Sequence, residues 1–181
     1  MKGFSKLELP IVTAISALRG VERYSHSFGL QRPMRDQSTG LFDPDAFSEL
    51  AGDRLERGIR GGGRVAIAVF QLDLLEARAS DRSVTKTVAQ AIRESIRPAD
   101  LATRTSATTF VALLDRCDRE EAKHACSRIM RSVMRMEALG SLCCGIAVAP
   151  TDGSSIGDLI ASAMRRPTPV HLSERTIAAA S

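Results

Sequence analysis

Arg97 and Asp100 stand at the ends of the tetrapeptide Arg97-Pro98-Ala99-Asp100, and a guanidinium beside a carboxylate is a pair that can read guanine. The arginine can donate two parallel hydrogen bonds to guanine O6 and N7 or grip a phosphate, while the carboxylate accepts from guanine's nitrogens. The tetrapeptide alone is a weak signal, because Arg78-Ala79-Ser80-Asp81 repeats its pattern. The same residues also suit a role without ligand. Arg97 would sit at the negative end of a helix dipole, and Asp100 would start a hairpin.

Other groups that could do chemistry fail on spacing. Cys117, Cys126, Cys143 and Cys144 do not have metal-ligand spacing, and His26, His124 and His171 are scattered. Four reduced, mostly buried thiols are expected. Cys143 and Cys144, adjacent on a strand, would face opposite sides and suit alternating packing. Gly61-Gly62-Gly63 follows a helical pattern and precedes an apolar run, the reverse of the strand-loop-helix order of a phosphate-cradling loop, so it reads as a turn.

The elements that must position Arg97 and Asp100 follow from periodicity. Ile11, Ile15 and Leu18 predict an amphipathic helix within Leu9–Tyr24, and residues 25–35, with Gly29 and Pro33, read as a linker. A helix is expected from Pro44 or Asp45 to about Ile59, capped by Asp43 and closed by the glycines. The apolar run Val65–Phe70 predicts a strand buried on both faces. Val84, Val88, Ile92 and Ile96 predict a helix over Ser83–Arg97. A hairpin follows, with arms at 101–105 and 109–114. A helix over Asp118–Met136 carries Ala122, Cys126, Ile129 and Val133 inward, with Met130, Met134 and Met136 as packing residues. A strand over 141–149 and a helix over 155–166 complete the order. The fold class is α+β, a ferredoxin-like or polymerase-palm βαββαβ core with an N-terminal helical extension. The domains run 1–35, 36–166 and a loosely ordered tail, 167–181.

Composition bounds the function. With 181 residues, 44% of them hydrophobic, the chain suits one domain of ordinary size plus short extensions. A net charge of +4 and a pI near 9.2 mildly favour an anionic partner, but no Trp and a single Tyr leave few rings for stacking bases, which argues against nucleic acid. No run approaches the roughly 20 apolar residues of a membrane span, and the N-terminus lacks signal-peptide order, so the cytoplasm is the expected location.

Landmarks in order then carry a family resemblance over about residues 36–166. Arg104-Thr105-Ser106-Ala107-Thr108-Thr109-Phe110, running into Val111-Ala112-Leu113-Leu114, is similar to the signature hairpin of the GGDEF (diguanylate cyclase) family, with Ser-Ala-Thr-Thr-Phe in place of Gly-Gly-Asp-Glu-Phe. Asp36-Gln37-Ser38-Thr39-Gly40-Leu41-Phe42 with Phe47 resembles the family's opening Asp-x-Leu-Thr-Gly-Leu turn and first helix, although Asp43-Pro44 replaces the usual Asn-Arg. Val65 to Asp73 resembles the first core strand ending in Asp-x-Asp, with Gln71 in place of the first acid. Gly145-Ile146-Ala147-Val148-Ala149-Pro150, then Asp152-Gly153, resembles the closing strand and its turn.

The resemblance implies a changed site. The family's metals are held by the first acid of the strand end and an acid of the hairpin, positions that match Gln71, Thr108 and Thr109. Amide and hydroxyl oxygens do not supply the negative charge that magnesium prefers, and Asp73 alone is acidic near that edge. The stretch between Asp73 and Ser83 is shorter than in active relatives and lacks their guanine-recognising Asn and Asp. Ser106 and Ala107 add bulk where two glycines admit phosphates. The expected protein is therefore catalytically inactive, with no catalytic residue, metal or cofactor. Arg97 and Asp100, five residues before the signature position, match the family's Arg-x-x-Asp product site for cyclic di-GMP. Arg128 matches an arginine that completes it in some relatives. A cyclic di-GMP receptor is one expectation. The alternative is a ligand-independent scaffold in bacterial signalling that binds a protein partner or itself through the N-terminal helix.

Overall fold

The computed structural model describes residues 34–74, 82–133 and 139–170. The first helix among the described residues, α1 (Pro44–Arg60), begins where Asp43 accepts a hydrogen bond from the Asp45 N–H at 3.0 Å, with proline in the first turn, where its missing donor costs nothing. Phe47, Ala51 and Leu55 form its buried stripe. It ends in the glycine turn, where Gly62 takes φ +67°, a left-handed conformation that suits glycine. The central strand β1 (Val65–Leu74) pairs antiparallel with β3 (Thr109–Leu114) on one side and β4 (Leu139–Ala149) on the other. Val65 to Phe70 are all buried, as a strand covered on both faces requires.

Helix α2 (Arg82–Ser95) buries Val84, Val88, Ala91 and Ile92 and leads to the edge strand β2 (Leu101–Arg104), which turns directly into β3. Helix α3 (Arg119–Val133) opens on a reciprocal cap. The Asp118 N–H donates to Glu121 at 2.9 Å, and the Glu121 N–H donates to Asp118 at 2.9 Å. Helix α4 (Ile156–Arg165) is capped by the Ser155 hydroxyl, which accepts from the Asp158 N–H at 3.1 Å. It crosses β4 so closely that a side chain at Gly145 would collide with the Ala163 carbonyl.

The sheet order is β2-β3-β1-β4-β5, where β5 (Thr168–Val170) pairs antiparallel with β4. This fifth strand occupies the start of the segment read from sequence as a loose tail. Its three residues are too few to show a period, and the pairing with β4 that makes them a strand is non-local. Helices α2 and α3 cover one face with a core around Phe70, Phe110 and Ile129, and α1 and α4 cover the other around Phe47, Ile67 and Leu159. The ferredoxin-like, palm-like core is therefore as expected. The expected helix over Asp118–Met136 is seen as far as Val133, and Met134 and Met136 lie outside the described residues, as does the expected helix within Leu9–Tyr24.

At the β2 edge, Phe42 forms isolated bridges with Arg35 and Thr103. Its N–H donates to the Ala102 carbonyl at 2.9 Å, and the Thr103 hydroxyl donates to the Phe42 carbonyl at 2.9 Å. The Arg35 guanidinium lies 4.4 Å from the centre of the Phe42 ring.

Candidate functional site

One end of the sheet carries the β2–β3 turn. Gln71 on β1 is in register with Thr109 on β3 and with Cys143 on β4. Thr109 is 1% exposed, and Gln71 and Thr108 are half-buried. The turn closes on its own polar groups. The Thr109 carbonyl accepts from the Thr105 N–H at 3.0 Å and the Ser106 N–H at 3.4 Å, and the Ser106 hydroxyl accepts from the Thr108 N–H at 3.2 Å. The Thr108 carbonyl in turn accepts from the Leu72 N–H at 2.9 Å. Gln71, Thr108 and Thr109 thus sit together, as expected, but their side chains offer neutral oxygen only. This donor set does not fit a magnesium ion, which takes carboxylate oxygens and phosphates.

The loop before α1 braces this end. Asp36 accepts from the Ser38 N–H and hydroxyl, each at 2.7 Å, and pairs with Arg104 at 3.2 Å. Burial pushes its carboxyl up, but the Ser38 hydroxyl and N–H, the Thr39 hydroxyl and the Arg104 guanidinium outweigh it, and the acid is held below its ordinary value. Arg93 on α2 donates to the Thr39 carbonyl at 3.4 Å, which ties the loop to a second element.

At the opposite end of the sheet, Arg97, Asp100 and Arg128 line one cleft of about 130 Å³ with Asp115, Glu121 and His124. Asp100 is 8% exposed and holds its own loop together. One carboxylate oxygen accepts from the Arg97 N–H at 2.8 Å and the other from the Asp115 N–H at 3.0 Å, so the helix exit and the end of β3 are pinned to one side chain. Arg97 is exposed. Arg128, also exposed, donates to the Ser95 carbonyl at 3.2 Å, across the α2–α3 seam. Burial pushes the neighbouring Cys117 thiol up to about 11, with Glu121 and Asp100 adding to the effect, so it is protonated and poorly nucleophilic at neutral pH.

Sequence reasoning named three of these lining residues and missed Asp115, Glu121 and His124. Glu121, His124 and Arg128 recur at helical spacing, which was a usable signal for a shared face of α3. Asp115 gave none, since only the pairing of β2 with β3 brings it beside Asp100. The second Arg-x-x-Asp copy, Arg78 to Asp81, lies outside the described residues. Among the described residues, no group of three or more His, Cys, Asp or Glu is arranged to hold a metal ion, and no helix is long and apolar enough to cross a membrane.

The sequence profile described as "Diguanylate cyclase, GGDEF domain" matches residues 34–166. The chain belongs to the GGDEF family. No curated protein matches it, whereas solved structures do. The GGDEF domain of FimX from Pseudomonas aeruginosa is 18% identical with a TM-score of 0.66, over 74% of this chain and 91% of that one. The GGDEF domain of TpbB, or YfiN, from the same species is 22% identical with a TM-score of 0.65, over 71% of this chain and 83% of that one. The GGDEF domain of DgcB from Caulobacter crescentus, solved in complex with c-di-GMP, is 17% identical with a TM-score of 0.60, over 76% of this chain and 87% of that one. At these identities the likeness establishes the fold.

Proposed function

We propose that this is a catalytically silent GGDEF domain that acts in the cytoplasm as a receptor for cyclic di-GMP and reports it to a protein partner. The observation that carries the receptor reading is the convergence of Arg97, Asp100 and Arg128, from a loop and a separate helix, on one cleft. Two exposed guanidiniums flank a fixed carboxylate there, the set of groups that can pair with guanine edges and phosphates. Each carboxylate oxygen offers about two acceptor positions. The backbone N–H groups of Arg97 and Asp115 take one position on each oxygen, and capacity remains for a base. The DgcB domain, of the same fold, was solved with this dinucleotide bound. Silence follows from the opposite end, where Gln71, Thr108 and Thr109 leave no anionic pair to hold the metal that activates a 3′-hydroxyl.

A second reading is favoured by Asp100 itself. Its two hydrogen bonds explain its presence without any ligand, and the domain would then be a scaffold, with residues 1–35 docking or self-associating. Among the similar structures, the diguanylate cyclase SiaD was solved with its protein activator SiaC.

Calorimetric titration of the full chain with cyclic di-GMP tests the choice. Binding is expected in the wild type and should weaken by roughly tenfold to a hundredfold in Arg97→Ala, as for loss of a charge-assisted pair. No heat at high ligand concentration sinks the receptor, and loss of self-association on deleting residues 1–35 would then support the scaffold. Formation of a cyclic dinucleotide from GTP would overturn the silence.

A further inference from the structure

Beyond the Arg97 cleft lies a larger one, of about 830 Å³, at the same end of the sheet. Its cations are all arginines. Arg54 and Arg57 come from α1, Arg64 from the lead into β1, and Arg116 from the turn after β3. The cleft is remote from the β2–β3 turn. The pairs Ala66↔Leu114 and Gln71↔Thr109 mark the two ends of the ladder, five residues apart along β1, or roughly 17 Å.

Two independent features mark this as more than a solvated face. The first is backbone conformation. Arg116 has φ +48°, and it is the only residue other than glycine with positive φ among the described residues. An arginine gains nothing from that conformation, which glycine adopts without steric cost. The second is the state of the charged groups. Among the described residues, the guanidiniums of Arg54 and Arg116 make no hydrogen bond or ion pair. Arg57 spends only its Nε, on the Asp53 carbonyl at 3.1 Å, and Arg64 approaches Asp118 only to 3.9 Å, with 67% and 41% of the two side chains exposed. Of the acids on the rim, Asp118 and Glu121 cap α3 through each other's N–H groups. Guanidinium donors are thus left over around a cleft whose size falls in the usual range for a small ligand.

We infer that this cleft is a second anion site, for a polyphosphate chain such as that of a nucleoside triphosphate or an inorganic oligophosphate. Arginine without lysine favours bidentate pairing with phosphate oxygens over a diffuse positive field. The rim carboxylates Asp115, Asp118 and Glu121 disfavour a long polyanion such as nucleic acid, which would have to run past them. The site adjoins the cyclic di-GMP cleft and shares Asp115 and Glu121 with it, but its arginines are different residues.

Calorimetry of the full chain with tripolyphosphate, ATP and GTP, in turn, tests the site. Binding of tripolyphosphate or a nucleotide is expected, and it should fall roughly tenfold to a hundredfold in Arg116→Gly and in Arg57→Ala. Nucleotides binding well above tripolyphosphate would identify the source as a nucleotide, and equal binding would identify it as the phosphate chain alone. Arg116→Gly separates ligand from fold, because relief of the positive φ should leave Tm unchanged or raised while affinity drops. Arg97→Ala should leave this binding intact. The inference is overturned if none of the three anions binds at millimolar concentration, if Arg116→Gly binds as well as the wild type, or if Arg97→Ala removes the binding and so places the anion in the neighbouring cleft.

Discussion

The two ends of β1 use their polar groups in opposite ways. At the end that carries Gln71, Thr108 and Thr109, the turn satisfies itself, with the Thr109 carbonyl and the Ser106 hydroxyl taking the N–H groups of their neighbours. At the other end, Asp100 also binds backbone N–H groups, yet Arg97 and Arg128 stay exposed around it. The first end has turned its polarity inward to hold a shape. The second spends one buried carboxylate on shape and leaves its cations at the surface. Both ends lie on the same strands over the same cores, so a change of residues at one end need not weaken the framework at the other.

The largest effect that could break this contrast is expected from Thr109→Glu. Thr109 is 1% exposed, and an unpaired carboxylate there should cost about 3 kcal/mol or more. Urea denaturation should show the loss, and added magnesium should not restore it. A neutral result, or rescue by magnesium, would mean that this end still accepts a cation and that the contrast is false.

Next in size is Asp100→Ala, which strands the N–H groups of Arg97 and Asp115 and should cost about 2–3 kcal/mol. Exposed Arg97→Ala should change stability by no more than about 0.5 kcal/mol. Equal losses in the two variants would mean that Arg97 also serves the fold, which blurs the division of labour proposed for it.

The smallest effect is a pH dependence at the first end. Asp36 is held below its ordinary value of 3.8, so its contribution is complete above that pH and disappears as pH falls through the lower value of the folded state. Denaturation curves of the wild type and Asp36→Asn should therefore differ near neutrality and converge in acid. Curves that stay parallel would show that the Ser38 and Arg104 contacts do not stabilise the carboxylate.

Most of the fold was legible because its elements bury continuous or periodic apolar runs. Val65 to Phe70, Val84 with Val88 and Ile92, and Ala122 with Cys126 and Ile129 each announce an element and its inward face. Asp43 announced its cap by residue type. β5 stayed hidden for lack of length. At the candidate site, Arg97, Asp100 and Arg128 were found through family landmarks, whereas the bonds that fix Asp100 and the presence of Asp115 depend on the register of β2 against β3. The arginine cleft was illegible for the same reason. Arg116 lies far along the chain from Arg54 and Arg64, and nothing in residue type foretells that Arg116 takes a left-handed backbone.

The small bridge made by Phe42 bears on how this protein behaves at high concentration. A bare outer strand is a template on which another chain can pair, the first step towards aggregates. Phe42 occupies backbone positions along the outside of β2, and on the far margin Pro169 of β5 has no N–H to offer. Among the described residues, sheet-to-sheet growth is thereby discouraged where Phe42 lies against β2.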